Sequence, residues 1–507
     1  MSTTLLTPLV GIDSLSAAAR SLIDGPINWI DGQWEDGQSD QTNTGYNPST
    51  GGELRTDHNA TPAQAERAVL AARKAFDRGP WGSTSPGDRA AILNRLADLM
   101  EQNFDALVEI IMLEVGTPVT LARAMQISMP IENLRWSARM AIKGPRGGYE
   151  EALTPDFHTP PSSSILQRVP VGVIAGITGY NFPINSVIWK LGPGLASGST
   201  LVFKSSERTP LSTRALMKLT EQAGVPAGVV NFVSGFGDVG AVLSAHEAVD
   251  MVMFTGSLKV GKIIQAAAAQ TTKKVVLELG GKSANILLPT VDDFDAIVQP
   301  SIMRFARNSG QGCGSTTRML VPRAQYDRFA ESIQGFVNGL KVGVAWDEAN
   351  DLGPLIRAEQ REFVAGFVDR ALEQGADVIA GGGHTDGLDG YFYNPTVIGG
   401  VDNTWEISRE ELFGPVGVLI PYDTVEDAID IAHDSPYGLH AAVYGDPTEA
   451  FQVAKRLRTG AVSINGGGYM RPDGPWGGFK LSGFGREMGE DGFQEFFQVK
   501  HIQWPIR

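Results

Sequence analysis

The apolar positions of this chain change rhythm near Val171. Before that point they recur at helical spacing. Thr61-Pro62-Ala63-Gln64 reads as an N-cap, a first-turn proline and a capping-box glutamine. Ala65, Ala68, Val69, Ala72 and Phe76 then mark one helix face. Ser85-Pro86 starts another helix with Ile92, Leu93, Leu96 and Met100 inward, and two more helical segments run to about Ile142. Upstream, Ile27 to Gly32 predicts a strand and turn, and Ser14 to Ile23 reads as a short helix or a mobile segment. Residues 144 to 164 carry Gly-Pro-Arg-Gly-Gly and Thr-Pro-Pro-Ser-Ser-Ser. They predict turns and extended chain, a connecting or pairing arm.

Beyond Val171 short apolar runs alternate with amphipathic stretches. Strands are expected at Val173–Ile177, Leu201–Lys204, Val229–Val233, Met251–Phe254 and Val275–Leu279, with helices starting near Pro183, Pro210, Val239 and Ser257. A second set follows at Ile286–Leu288, Met319–Val321, Val378–Ala380, Val416–Ile420, Ala442–Tyr444 and Val462–Ile464. Continuous apolar strands separated by helices predict parallel sheets covered on both faces. Two such sets predict two domains with a cleft between them. A chain of 54.2 kDa also exceeds the usual size of one hydrophobic core.

Hydrophobic content of 42% and charged content of 20% describe a globular protein. The formal net charge of −15 disfavours nucleic acid as a partner, since phosphate binding needs clustered Lys and Arg. No apolar run is long enough for a membrane-spanning helix. Residues 1 to 25 lack the basic start and apolar centre of a signal peptide, so a cytoplasmic location is expected.

Candidate chemistry gathers at predicted strand ends, where loops and helix N-termini meet in a parallel sheet. The single cysteine, Cys313, lies in Asn308-Ser309-Gly310-Gln311-Gly312-Cys313-Gly314. Its glycine neighbours allow close approach of backbone and substrate; a chance thiol in a turn is the alternative. One cysteine can form neither an intramolecular disulfide nor a Cys-x-x-Cys metal site, and no metal site is expected. Lys204 and Glu207 end a strand and could face a sugar hydroxyl pair, or form a surface ion pair. Gly235-Phe236-Gly237-Asp238-Val239-Gly240 matches G-x-G-x-x-G, but it follows the third strand of its set, and a tight turn accounts for it equally. Phe254-Thr255-Gly256-Ser257 opens a helix whose N–H groups suit a phosphate. Glu278, flanked by leucines, is expected to have a raised pKa, which suits a general base; an outward-facing glutamate is the alternative. Asn181 in Gly179-Tyr180-Asn181-Phe182-Pro183 could donate its amide to an oxyanion or serve only the turn.

Together these segments resemble the aldehyde dehydrogenase superfamily, in its hydrolytic NAD(P)-dependent branch, from Ile27 to about Lys500. The resemblance also rests on Pro170-Val171-Gly172-Val173, Leu277-Glu278-Leu279-Gly280-Gly281-Lys282-Ser283, Glu411-Leu412-Phe413-Gly414-Pro415-Val416 and the run from Gly477 to Glu487. It implies an α/β fold: a Rossmann-like cofactor domain (27–143 and 165–279), a second α/β catalytic domain (280–484) and a small β oligomerisation arm (144–164 and 485–507). Residues 1–26 would be an N-terminal extension. It implies attack by Cys313 on an aldehyde, an oxyanion held by the Asn181 amide and the Cys313 N–H, hydride transfer to NAD, and hydrolysis of a thioester by water activated by Glu278. Lys190 and Glu487 match positions that pass a proton outward. Lys204 and Glu207 would bind the adenosine ribose, Gly237 and Gly240 the glycine turn, Ser257 the pyrophosphate, and Glu411 with Phe413 the nicotinamide ribose. The charge of Glu207 favours NAD over NADP.

The chain departs from the family pattern where Gly179-Tyr180 replaces Pro-Trp and where Ser186, Gly312 and Gly314 replace larger residues, while Trp189 is retained. These small residues imply a roomy pocket for a bulky or apolar aldehyde, or carry no consequence for substrate. The resemblance further implies a homodimer or homotetramer. Rival readings are a semialdehyde dehydrogenase, with Arg471 meeting a substrate carboxylate, a CoA-acylating relative, and a non-catalytic binding protein of the same fold.

Overall fold

A computed structural model describes residues 7–158, 160–468 and 470–506. The first residues of the N-terminal extension, Thr159 in the arm, Tyr469 and Arg507 lie outside the described residues. The first α/β set comprises β1 (Val173–Ile177), α1 (Pro183–Ser197), β2 (Thr200–Lys204), α2 (Pro210–Gln222), β3 (Val230–Val233), α3 (Gly237–Ala245), β4 (Met251–Thr255), α4 (Leu258–Ala269) and β5 (Lys274–Glu278). The five strands pair in parallel in the order β3-β2-β1-β4-β5. The order reverses beside β1, the kind of switch point at which a crevice opens above the strand ends. Antiparallel strands close both edges: Asn28–Ile30 beside β3, and Gly483–Phe484 beside β5.

Alternation along these strands builds two cores. Ile174, Leu201 and Phe203 pack with α1, α2 and the helices Pro86–Gln102, Phe104–Val115 and Met129–Lys143. Val173, Ala175, Ile177 and Val202 face the helix Pro62–Arg78 through Ala65, Ala68, Val69 and Ala72. That helix has the expected cap: the Thr61 hydroxyl accepts from the Gln64 N–H, and the Gln64 side chain accepts from the Thr61 N–H. The segment near the N-terminus forms a helix, Ala17–Ile23, capped by Ser16.

The second set contains β6 (Ala284–Leu287), β7 (Arg318–Pro322), β8 (Asp377–Ala380), β9 (Thr396–Gly399), β10 (Val416–Tyr422), β11 (His440–Tyr444) and β12 (Ala461–Ile464), ordered β8-β9-β10-β7-β6-β11-β12. All neighbours are parallel except β8 and β9. Strand β9 was not predicted. Thr396-Val397-Ile398-Gly399 is short and set among loops, so its period does not show locally. In the arm, Ser162–Pro170 pairs antiparallel with Glu150–Ala152 and with Phe497–Pro505. The pairing strand thus extends past residue 164, and the terminal strand starts before Lys500.

Candidate active site

Cys313 sits in a turn fixed from several sides. Asn308, Ser309 and Gly310 all have φ between 52 and 75°, a left-handed run that is costly for the first two. Side chains hold it. The Thr117 hydroxyl donates to Asn308 Oδ1 at 2.9 Å, and the Ser309 hydroxyl donates to the Gly353 carbonyl at 2.6 Å. Gln311 accepts from the Ile356 N–H at 3.0 Å. A Cβ on Gly310 would lie 1.9 Å from the Gly414 carbonyl oxygen, so only glycine fits there. Ser315 N–H donates to the Gly312 carbonyl at 3.1 Å, closing the turn around the cysteine.

The sulfur is half-buried. Burial, with the charges of Glu278 and Glu411, pushes its pKa up to about 12, so the protein's own groups hold a thiol at neutral pH. Nearby carboxylates disfavour the anion, so forming the thiolate requires removal of that proton.

Asn181 follows β1 and leads into α1. Its side-chain amide donates to the Gln311 carbonyl at 2.9 Å, which ties it to the cysteine turn. Its own carbonyl accepts from Gln126 Nε2 at 2.8 Å and Asn308 Nδ2 at 3.2 Å. Gln126 lies in a π-helical turn, Ala122–Ser128, and also reaches Thr117 at 3.3 Å. Such turns often mark functional sites. No local signal in the chain marks Gln126, Thr117 or Asn308 as supports.

Glu278 is the last residue of β5, in register with Thr255 of β4 and Gly483 of the returning strand. Both its carboxylate oxygens are buried without a hydrogen-bond partner among the described residues. Burial, then the charge of Glu487, raises its pKa well above the ordinary value, against the pull of Lys190 and Arg486. Lys190, on α1, forms an ion pair with Glu487 at 2.6 Å, with side chains 0% and 1% exposed. Its ammonium also donates to Thr255 Oγ1 at 2.8 Å and to the Ser186 carbonyl at 3.1 Å. A chain of ionisable groups thus runs inward from Glu278.

The crevice above the first sheet has the features of a site for an elongated polar ligand. Lys204 Nζ lies 3.6 Å from Glu207 at the end of β2. Thr178 and Ser205, just past β1 and β2, have buried hydroxyls without a partner among the described residues. A Cβ on Gly237 would meet nothing within 4 Å, and one on Gly240 only Ile177 at 3.9 Å, so open space stands over the start of α3. Ser257 caps α4 by accepting from Val260 N–H at 3.4 Å. Opposite, the Gly281 N–H donates to Glu411 at 3.0 Å, and a Cβ on Gly280 would collide with the same carboxylate. Burial raises the Glu411 pKa to about 7. Phe413, at φ 53°, meets the Tyr180 ring edge-on at 5.8 Å.

An apolar wall surrounds the thiol. Trp189, Leu439, Trp476 and Met488 form a buried cluster against which Cys313, Met129 and Met470 pack. Ser186 is buried beneath Lys190. The reading of Gly314 as added room is corrected: a Cβ there would lie 2.8 Å from the Trp476 indole, which fills that space. At Gly312 the nearest atom is the Ser315 hydroxyl at 3.0 Å. Arg471 pairs with Asp473 at 2.5 Å on the surface.

A doubly wound sheet whose crevice joins a thiol to a buried carboxylate is the arrangement of an enzyme. Residues 34–502 match the model of the aldehyde dehydrogenase family. The chain is 38% identical over 477 residues to a putative aldehyde dehydrogenase, DhaS, of Bacillus subtilis, covering 94% of each. It is also 38% identical over 479 residues to a 3-succinoylsemialdehyde-pyridine dehydrogenase of Pseudomonas, covering 94% of this chain and 97% of that protein. Among solved structures, aldehyde dehydrogenase C of Pseudomonas syringae, a cysteine-to-alanine variant with NAD+ and octanal, aligns with a TM-score of 0.89 at 37% identity over 94% of this chain and 96% of that one. The chain belongs to the aldehyde dehydrogenase family, and its activity is the NAD-dependent oxidation of an aldehyde.

Proposed function

We propose that Cys313 is the nucleophile, Asn181 the oxyanion donor and Glu278 the base, and that the product is a carboxylic acid released by water. The observation that carries this reading is Glu278, a buried carboxylate without a hydrogen-bond partner among the described residues, whose charge acts on the thiol. NAD fits the crevice, because buried hydroxyls, open space above a helix start and a shielded carboxylate are what a dinucleotide requires. Lys204 and Glu207 hold its adenosine ribose, the starts of α3 and α4 with Ser257 its phosphates, and Glu411 with Phe413 its nicotinamide ribose. Bound there, NAD would supply a hydride acceptor for aldehyde oxidation and a positive charge that would favour ionisation of the thiol.

The chain's own groups carry the rest. Glu278 takes the Cys313 proton and later a proton from water; its raised pKa makes it basic enough for both near neutrality. The Lys190–Glu487 pair receives that proton inside the protein. One N–H of the Asn181 amide is anchored to Gln311, which aims the other at the oxyanion. Asn181→Ala is expected to lower kcat by about 10²- to 10³-fold with the NAD KM within about twofold, measured by nicotinamide absorbance. An unchanged kcat defeats the oxyanion role.

In its assigned place at the adenosine ribose, Glu207 favours NAD over NADP, because its charge repels a 2′-phosphate. Arg208 approaches it at 3.8 Å. Glu207→Gln is expected to shift the NADP-to-NAD ratio of kcat/KM by about tenfold or more toward NADP, since Lys204 and Arg208 then meet the phosphate unopposed. No shift counts against the assignment.

The substrate class follows from the wall around the thiol. Trp189, Leu439, Trp476, Met129, Met470 and Met488 suit an uncharged apolar aldehyde, with the methionines adapting to its shape. Arg471 is engaged by Asp473, which weakens the semialdehyde alternative. A betaine aldehyde dehydrogenase and a 3-succinoylsemialdehyde-pyridine dehydrogenase match at 37% and 38% identity, so the relatives' names do not choose. A panel of aliphatic, aromatic, terpenoid and carboxylated aldehydes tests this directly: carboxylated aldehydes ranking first overturns it. The exposed side chains Val499, Ile502 and Trp504 on the terminal strand support a homodimer or homotetramer built through the arm.

A further inference from the structure

We propose that His440 is a positioning residue that locks the downstream half of the Cys313 turn. The proposal rests on reading Cys313 as the nucleophile and concerns a residue which that reading leaves without a role. His440 opens β11 and is buried. Its Nδ1 lies 3.0 Å from the Gly314 carbonyl oxygen, and its Nε2 lies 3.1 Å from the Ser463 hydroxyl on the neighbouring strand β12.

A carbonyl oxygen only accepts, so Nδ1 carries the proton and Nε2 accepts from Ser463. Burial and the charge of Arg304 push the imidazole pKa down to about 3, so the ring stays neutral and keeps this single tautomer. The Trp476 indole lies 6.2 Å from the imidazole and fills the space beside Gly314, restricting the ring's rotation.

The geometry explains why the turn needs this support. Upstream of the thiol, Asn308 to Gln311 is held by Thr117, Gly353, Pro354 and Ile356. Downstream, Gly314 has no side chain, and glycine has the widest choice of backbone angles. The Ser315 N–H, bonded to the Gly312 carbonyl, holds one end of the Gly314–Ser315 peptide plane. The His440 N–H holds the other end, through the Gly314 carbonyl. With both ends of that plane held, the residue after the cysteine keeps one conformation, and the turn presents the Cys313 sulfur and N–H, the latter one of the two oxyanion donors, in one place.

The test uses the full chain with His440→Leu, His440→Asn and Ser463→Ala. Asparagine places an amide N–H near the position of Nδ1; leucine has none. Steady-state kinetics, the alkylation rate of the single cysteine by iodoacetamide, and thermal midpoints are measured on each. His440→Leu is expected to lower kcat by about 10- to 100-fold and to change the alkylation rate, with the NAD KM within about twofold. His440→Asn is expected to recover most of the loss, and Ser463→Ala to fall between wild type and leucine. Equal losses in the asparagine and leucine variants, or wild-type kcat and alkylation with only a lowered midpoint, overturn the proposal. If the leucine variant does not fold, asparagine exceeding Ser463→Ala in kcat supports it and the reverse order overturns it. Failure of the underlying reading shows separately, as turnover retained by Cys313→Ala.

Discussion

Cys313→Ala is expected to lower kcat by about 10⁵-fold or more while the NAD dissociation constant changes by less than about threefold. The sulfur is the only thiol in the chain. The neighbouring Ser309 hydroxyl already donates to Gly353 and cannot substitute for it. The residues assigned to the cofactor, Lys204, Glu207, Ser257 and Glu411, line other walls of the crevice, and none hydrogen-bonds to the cysteine side chain. Alanine therefore removes a reacting atom and leaves the ligand contacts standing. Absorbance of reduced nicotinamide measures the first quantity and titration calorimetry the second. Turnover above about one per cent of wild type would remove the thiol from the mechanism.

Glu278→Gln is expected to slow the steady state by about 10²- to 10⁴-fold and to expose a burst approaching one reduced cofactor per subunit. Water releases its proton far less readily than a thiol does, so hydrolysis loses more than the first addition. A rapid-mixing trace without a burst, with its first step slowed most, would overturn the assignment to hydrolysis. A stability effect of opposite sign accompanies the loss. Glu278 has a folded pKa above its unfolded value. Above the unfolded value the native state holds the proton longer than the unfolded chain does. Stability then falls with rising pH, by about 1.4 kcal/mol per unit, until the folded pKa is reached. Glutamine has no charge to bury. The variant should therefore melt at a higher temperature than wild type at pH 7 to 8, with the gain shrinking toward pH 5.

Much of the scaffold was legible because its signals are local. Parallel strands buried on both faces must be apolar throughout, so Val173–Ile177 and Met251–Thr255 stand out as runs. Thr61 and Gln64 announce a helix start within four residues. The candidate site residues were legible through the ordered motifs, and the expected rise in the Glu278 pKa agrees with its burial. What escaped depends on residues far apart in the chain. Gly314 was read as space, but Trp476 occupies that space, and nothing near Gly314 names its neighbour. The pKa of Cys313 is set partly by Glu278 and Glu411, which reach it only through the fold. His440 carries no signal in its own stretch of chain; its meaning lies in Gly314 and Ser463.

The short strand Gly483–Phe484 lies against β5, and Glu487 just after it meets Lys190. During synthesis the ribosome therefore completes the whole first sheet long before the piece that covers its last edge emerges. Until then β5 presents unpaired backbone groups, a template for adhesion between nascent chains. Molecules cut short before Gly483 would carry the thiol yet lack the inner carboxylate, and would accumulate as clumped, inert fragments that quality-control proteases clear.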